Sequence, residues 1–387
     1  MRNTAKSVQV VIIGGGVMGA ATAYSLARAG VRDVVLLEAD DVASGSSGKP
    51  LGGIRAQFSD VTNIELGLRS LAAYGRFHED LGVDIGLQTV GYLFALRREQ
   101  DVISHQASIE LQNAMGVPSR IIDASEARTL CPYLDDQQIL AAAWSPNDGF
   151  ARPADAVRGL VGAASASGVD VRTHTRVVGI DVGEAETAAV RLGDETSIST
   201  PTVICTAGAW SRQIGAMVGV DLPIVPKRRE IAFTPPLDPW PPRIPFTIDY
   251  ATTAYFHGSE DGGLLLGWAD PDQPEGFDRH TTDGWHSGLR VALTAFAPDL
   301  ADVPISHGWA GLYEITPDCN ALIGETHAPG FRFLYAAGFS GHGFLQGPAV
   351  GECVRDLFLG RAPVVDVSGF TAERFLRPAV RTELGII

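Results

Sequence analysis

The chain has 387 residues, a formal net charge of -15 at pH 7 and a sequence pI of about 5.0. That length can bury a large core and predicts two domains. The acidic balance argues against nucleic acid and anionic membranes as partners, and no apolar run approaches a membrane span, so a cytoplasmic protein is expected.

The run Val8–Ile13 reads as a buried strand, Ala20–Ala29 as a helix and Val34–Leu37 as a second strand ending in Glu38. Between the first two, Gly14, Gly16 and Gly19 form G-x-G-x-x-G. Gly14 permits the tight turn, Gly16 lets a pyrophosphate approach the backbone, and Gly19 lets helix and strand pack closely. The phosphates would sit on the helix N-terminus, where free N–H groups and the helix dipole favour negative charge. Glu38 is placed to accept hydrogen bonds from ribose hydroxyls, so the unit predicts a dinucleotide site. A secretory signal has the same early polarity. Three consecutive glycines make a poor apolar core for one, however, and would leave Val34–Leu37 without a partner.

The Gly/Ser-rich segment Asp40–Asp60 suits backbone running beside a ligand. Ile64–Leu81 predicts a helix, Gly91–Arg97 a strand, and Ile103–Met115 and Ala154–Ser167 two further helices. Strands follow at Val169–Arg172, Val177–Val182 and Thr202–Thr206. From Pro223 the texture changes to strands at Glu230–Thr234, Thr253–His257 and Gly263–Trp268, separated by Pro/Gly/Asp-rich turns, which predicts an antiparallel sheet. Strand Phe333–Ala336 and helix Pro348–Leu359 return to α/β texture. The expected architecture is therefore α/β plus antiparallel β. A discontinuous Rossmann-like domain (1–90, 145–220 and 306–387) carries an inserted substrate domain (91–144 and 221–305), with the ligand between them. Cys131, Cys205, Cys319 and Cys353 show no metal or redox spacing and the histidines form no ligand set, so no metal is expected.

Four separated motifs extend the reading: the fingerprint with Glu38, the Ser/Gly loop closing on Ile54-Arg55, CTAGAWS at Cys205–Ser211, and GLYEITPD with GFSGHGFLQGPAVGE at Gly311–Asp318 and Gly338–Glu352. Together they resemble the D-amino-acid oxidase superfamily of flavoproteins, above all its glycine/sarcosine oxidase branch and related dehydrogenase β-subunits, across essentially the whole chain. The resemblance implies FAD as cofactor. Gly14, Gly16 and Gly19 would approach the diphosphate, Glu38 the adenosine ribose, and Ser44, Ser46 and Ser47 the diphosphate and ribityl side. Val177 would touch adenine, while Ala207, Gly208 and Trp210 border the nucleotide. Gly341, His342, Gly343 and Phe344 would lie along the isoalloxazine, with helix Pro348–Phe358 aiming its N-terminal dipole at the flavin.

On the substrate side, Arg55 matches the position whose guanidinium binds a carboxylate, a task suited to a planar bidentate donor. Tyr313 and Tyr255 are substrate-facing candidates, with core packing as the plainer alternative. Gly311 stands where relatives attach flavin through a cysteine, so non-covalent FAD is expected. Leu345, Leu265 and Ala269 replace two lysines and a histidine of the family, and Lys49 is the remaining local cation. The implied activity is oxidation of an amino acid or secondary amine, of glycine, sarcosine, proline or D-amino-acid type, to the imine by hydride transfer to flavin N5. The alternative is an FAD-carrying β-type subunit of a multisubunit amine dehydrogenase, partnered by electron-transfer subunits.

Overall fold

Strand Val10–Ile13 is buried along its length and pairs in parallel with Val34–Leu37 on one side and Thr202–Cys205 on the other. These apolar runs have no polar face because both sides of the sheet are covered. The computed structural model describes residues 6–49, 51–182, 186–239, 243–328, 330–376 and 382–383. Its six-stranded sheet runs, edge to edge, through Leu322–Ala328, Phe331–Ala337, Thr202–Cys205, Val10–Ile13, Val34–Leu37 and Asp170–Arg172. All neighbours are parallel except the pair Leu322–Ala328 and Phe331–Ala337. On one face, Val10, Ile12 and Leu36 pack against helices Val17–Arg28, Pro153–Ala166 and Gly343–Phe358. On the other, Val11, Ile13 and Leu37 meet the small sheet built from Val177–Val182, Ala188–Leu192 and Ser197–Thr200.

A second, eight-stranded sheet roofs this assembly, in the order His307–Ile315, Val225–Phe233, Leu264–Trp268, Ala254–Gly258, Phe246–Asp249, Tyr92–Leu96, Ala141–Ser145 and Arg120–Asp123. Its outer face (Phe256, Leu264, Leu266) is covered by helix Asp283–Thr294 through Trp285, Leu289 and Leu293. The opposite face carries Ile231, Tyr255 and Leu265. The mixed α/β architecture is the one the sequence indicates, with a large sheet that is antiparallel except between Phe246–Asp249 and Tyr92–Leu96.

The element boundaries differ in instructive places. The expected helix Ile64–Leu81 is two helices, Val61–Gly75 and Phe77–Leu81, broken at Arg76. The strand expected at Glu230 starts at Val225, because Lys227, Arg228 and Arg229 conceal a strand behind charge. The last helix starts at Gly343 rather than Pro348, so Pro348 lies inside it. An interior proline cannot donate to the carbonyl four residues back. Here that carbonyl, on Phe344, accepts instead from the buried Tyr74 hydroxyl at 2.6 Å. A side chain from a distant helix thus supplies the donor the proline lacks.

The first and last helices cross where Gly351 faces the backbone of Ala21: a Cβ on Gly351 would lie 2.5 Å from the Ala21 carbonyl carbon. Side chains larger than hydrogen must push the helices apart. Gly351→Val is therefore expected to destabilise the protein by about 3 kcal/mol, the upper range for overpacking, and chemical denaturation measures it.

Candidate active site

Between the carboxyl ends of the parallel strands and the roof sheet lies a cleft of about 490 Å³, within the roughly 300–1,000 Å³ range of cofactor pockets. The C-terminal edge of an open parallel sheet is where such ligands bind, because helix N-termini converge there. The wall is assembled from the fingerprint turn, the Ser/Gly loop, the Ala207–Trp210 turn, the inner strands of the roof, and the turn before the last helix.

Gly14 fixes the start of the cleft. Its φ of +112° is a conformation other residues rarely adopt, and a Cβ there would sit 2.4 Å from the Thr206 carbonyl oxygen. Gly16 opens helix Val17–Arg28 without a side-chain cap of its own, although Val17 N–H donates to Ser47 Oγ at 2.9 Å. Gly19 does not line the cleft. A Cβ on it would lie 1.9 Å from Gly14 O, so this glycine lets the helix pack on the turn. Glu38 accepts from Gly15 N–H at 2.6 Å and from Asp40 N–H at 2.9 Å, which holds its carboxylate at the cleft edge beside Val177. Ser44, Ser46 and Ser47 line the same channel, and Ser46 Oγ donates to Leu312 O at 2.6 Å.

Across the cleft, Ala207, Gly208 and Trp210 form the near wall, with Trp210 stacked on Phe277 at 5.5 Å between centroids and Arg279 lying over its indole. At the far end the roof contributes Arg229, Ile231, Tyr255, Trp309, Gly311 and Tyr313. Tyr255 is accommodated by Gly267, where any Cβ would collide with its ring. Gly341, at φ +102°, gives the same room to Tyr313. Burial pushes both phenols above their usual range, so each stays a neutral hydrogen-bond donor. Lys49 Nζ donates to Ala310 O at 3.0 Å, and its stem lies against Gly311; burial and the neighbouring Arg279 lower its pKa.

Gly343 and Phe344 line the cleft and begin the last helix, whose N-terminal dipole therefore enters the site through Gly343 rather than through Pro348. Its cap residue, His342, is buried behind them, with its ring edge-on to Phe58 and Phe339. Neither ring nitrogen has a protein partner, and burial, helped by the positive charge of Arg55, pushes its pKa down to about 3. Arg55 is likewise buried and does not line the cleft. It donates to Gln57 O, stacks on Phe58 at 4.2 Å and Phe94 at 5.6 Å, and lies within the fields of Asp148 and Glu383.

Four charged lining residues had no role in the sequence reading: Arg176, Arg229, Arg279 and Glu314. Glu314 follows Tyr313, accepts from the Gly338 and Phe339 N–H groups, and keeps a buried Oε2 with no protein partner. Burial pushes its carboxyl up to about 7. The signal was present in GLYEITPD, but a glutamate in a strand is ordinarily solvent-facing.

The site fits a flavin dinucleotide on its own features: a glycine turn no side chain could replace, a helix start whose cap glycine contributes no side chain, an acid at the second strand's end, and a second helix start at the opposite end. The family model described as DAO, FAD dependent oxidoreductase, matches residues 9–357. The chain is 29% identical over 385 residues to mitochondrial sarcosine dehydrogenase of Homo sapiens, covering 95% of this chain but 41% of that protein. It is 26% identical to glycine oxidase of Geobacillus kaustophilus, covering 95% of this chain and 97% of that one. The crystal structure of L-proline dehydrogenase from P. horikoshii superposes with a TM-score of 0.90 at 31% identity, covering 97% of this chain and 100% of that one. The chain thus spans less than half the length of the sarcosine dehydrogenase it matches.

Two outcomes follow from the geometry. Glu38→Gln should weaken FAD retention by about 1.5–3 kcal/mol, the worth of hydrogen bonds to a charged group, which dialysis and flavin fluorescence measure. Glu314 holds its proton more tightly folded than unfolded, so its contribution to stability is full at pH 4 and lost as pH rises through about 7. The cofactor-free Glu314→Gln protein should accordingly lose less stability than wild type between pH 5 and 7.5 in denaturant titrations.

Proposed function

The chain belongs to the DAO family of FAD-dependent oxidoreductases, and from that premise we propose that it oxidises the carbon–nitrogen bond of an amino acid or secondary amine. One observation carries this reading: beyond the nucleotide channel, the cleft ends in a chamber walled by Tyr255, Trp309 and Tyr313 with a cation among them. That combination suits a small, charged substrate with an apolar body. The relatives it is similar to are named for proline, glycine and sarcosine, all small amino acids.

When bound, the flavin supplies a two-electron acceptor: the substrate α-carbon gives up hydride, the nitrogen loses a proton, and the resulting imine is hydrolysed by water. The protein's part is to hold and to exclude. Gly14, Gly16 and Ser44–Ser47 receive the diphosphate region, and Glu38 the adenosine ribose. Ala207, Gly208 and Trp210 close the near wall. The start of the last helix at Gly343 directs its positive dipole end into the chamber, where it would favour extra negative charge on a bound flavin. Tyr255 and Tyr313 remain protonated and can donate hydrogen bonds to substrate oxygen atoms. Gly311 offers no atom for a covalent link.

A second reading, a flavin-carrying subunit of a larger electron-transfer assembly, is favoured by Leu265 and Leu345. Both are buried in apolar clusters where the resembling oxidases carry lysines, so neither can activate oxygen electrostatically.

Anaerobic mixing with a panel of primary and secondary amino acids should bleach the flavin; no bleaching across the panel would overturn the amine-oxidation reading. Acid precipitation should leave the FAD in the supernatant. Reoxidation by air should be slower than by an artificial dye, and stopped-flow absorbance compares the two.

A further inference from the structure

Arg228 and Arg229 are consecutive on one roof strand, so their side chains leave opposite faces, and their surroundings differ sharply. Arg228 meets Glu230 at 3.2 Å and Asp278 at 2.6 Å, and also donates to the His280 carbonyl. Its charge is balanced, and it pins the 273–280 segment beside the cleft. Arg229 points into the cleft itself. Nη1 donates to the Arg228 carbonyl at 3.1 Å, the guanidinium lies 5.2 Å from the Tyr313 ring centroid, and the buried Nε has no partner. Among the described residues no carboxylate forms an ion pair with it.

A half-buried cation without a counter-ion is costly unless something brings it an anion. The cation–π contact offsets part of that cost and aims the fork across the chamber. Register places Arg229 directly opposite Gly311 and Ile231 opposite Trp309, with Tyr313 one row further along the same face. Gly311 brings no side chain toward the guanidinium, and the Lys49 stem packs over it. Arg55, by contrast, lies outside the cleft with its charge set among Asp148, Glu383 and the Gln57 carbonyl.

We propose that Arg229, rather than Arg55, binds the anionic group of the substrate, which is therefore an amine carrying a carboxylate on the side that faces the roof sheet. This rests on the amine-oxidation reading above. Arg55 is then a positioning residue that organises the Gln57–Phe58 turn behind the chamber.

The test is titration of the FAD-loaded protein with inert carboxylates (acetate, benzoate and pyrrole-2-carboxylate), following the flavin absorbance, in wild type, Arg229→Lys, Arg229→Gln and Arg55→Lys. The wild type should show a saturable spectral change. Arg229→Gln should weaken it about 10- to 150-fold, as for a lost charge-assisted hydrogen bond, and Arg229→Lys less, while flavin content and melting temperature stay unchanged. Arg55→Lys should bind within a few-fold of wild type. The proposal falls if no carboxylate perturbs the wild-type spectrum, if Arg229→Gln binds like wild type, or if only Arg55→Lys loses affinity. It also falls if Arg229→Gln shifts the flavin reduction potential without changing carboxylate affinity, since the anion met would then be the reduced cofactor. Bleaching by the amino-acid panel is scored separately. Carboxylate binding that does not depend on Arg229, with wild-type bleaching intact, refutes only this assignment, whereas no bleaching in wild type refutes the reading beneath it.

Discussion

The whole site hangs on the contact between the backbone of Ile13–Gly14 and Thr206. Thr206 N–H donates to Ile13 O at 2.9 Å, extending the parallel ladder one residue past the strand end, and its Oγ1 lies 3.0 and 3.1 Å from Ile13 O and Gly14 O. Nothing larger than a hydrogen fits between Gly14 and Thr206. That closeness fixes where the first strand turns, and the turn fixes where helix Val17–Arg28 begins, because Gly19 must lie against Gly14 O. The helix start and the Ala207–Trp210 wall are thereby held on the same edge of the sheet. A nucleotide lying across that edge would meet backbone from two chain segments that are nearly 200 residues apart in sequence.

Closure at the opposite end depends on the last helix. It is fastened to the first helix through Gly351 and to helix Val61–Gly75 through the Tyr74 hydroxyl on the Phe344 carbonyl. This second contact satisfies a buried carbonyl that would otherwise carry a desolvation penalty of about 1–3 kcal/mol, and it holds the first turn of the helix against the cleft. Four basic side chains, Lys49, Arg176, Arg229 and Arg279, line the cleft alongside Glu38, Asp40 and Glu314, in a chain whose formal net charge is -15. The acidic surface and the fixed charges of the cleft divide the labour. The surface favours solubility, while the fixed cations act over short distances in a weakly screened space.

Much of this was legible residue by residue. The fingerprint, Glu38 and the Ser/Gly loop are local: each needs only its own neighbours in sequence to declare a turn, a strand end or a backbone surface. Sixteen of the residues named from sequence line the cleft, including Val177, Ala207 and Gly341 from distant segments, because the four motifs carry their own spacing. Gly19 lets the helix pack on the turn, as its place in the fingerprint indicates, and sits in the first turn of the helix rather than on the cleft wall. What failed did so for identifiable reasons. Pro348 looked like a helix start because an interior proline is ordinarily excluded, and the compensating donor, Tyr74, sits in another helix. The strand holding Arg229 starts earlier than its sequence suggests because three consecutive basic residues break the apolar alternation that marks a strand.

The sequence by itself determined the class of ligand, the strand–turn–helix that receives it and the segments that would gather round it, because those depend on backbone conformation and on periodicities of two and 3.6 residues. Only the tertiary structure decided which charged groups are balanced and which face the chamber. Arg228 and Arg229 differ in sequence by one position, yet one meets Glu230 and Asp278 while the other meets an aromatic ring and the Arg228 carbonyl at the cleft. Glu314 is raised to about 7 by burial, against the Gly338 and Phe339 N–H groups that favour its charged form. Pairing and desolvation arise from residues brought together across the fold, and no local pattern records them.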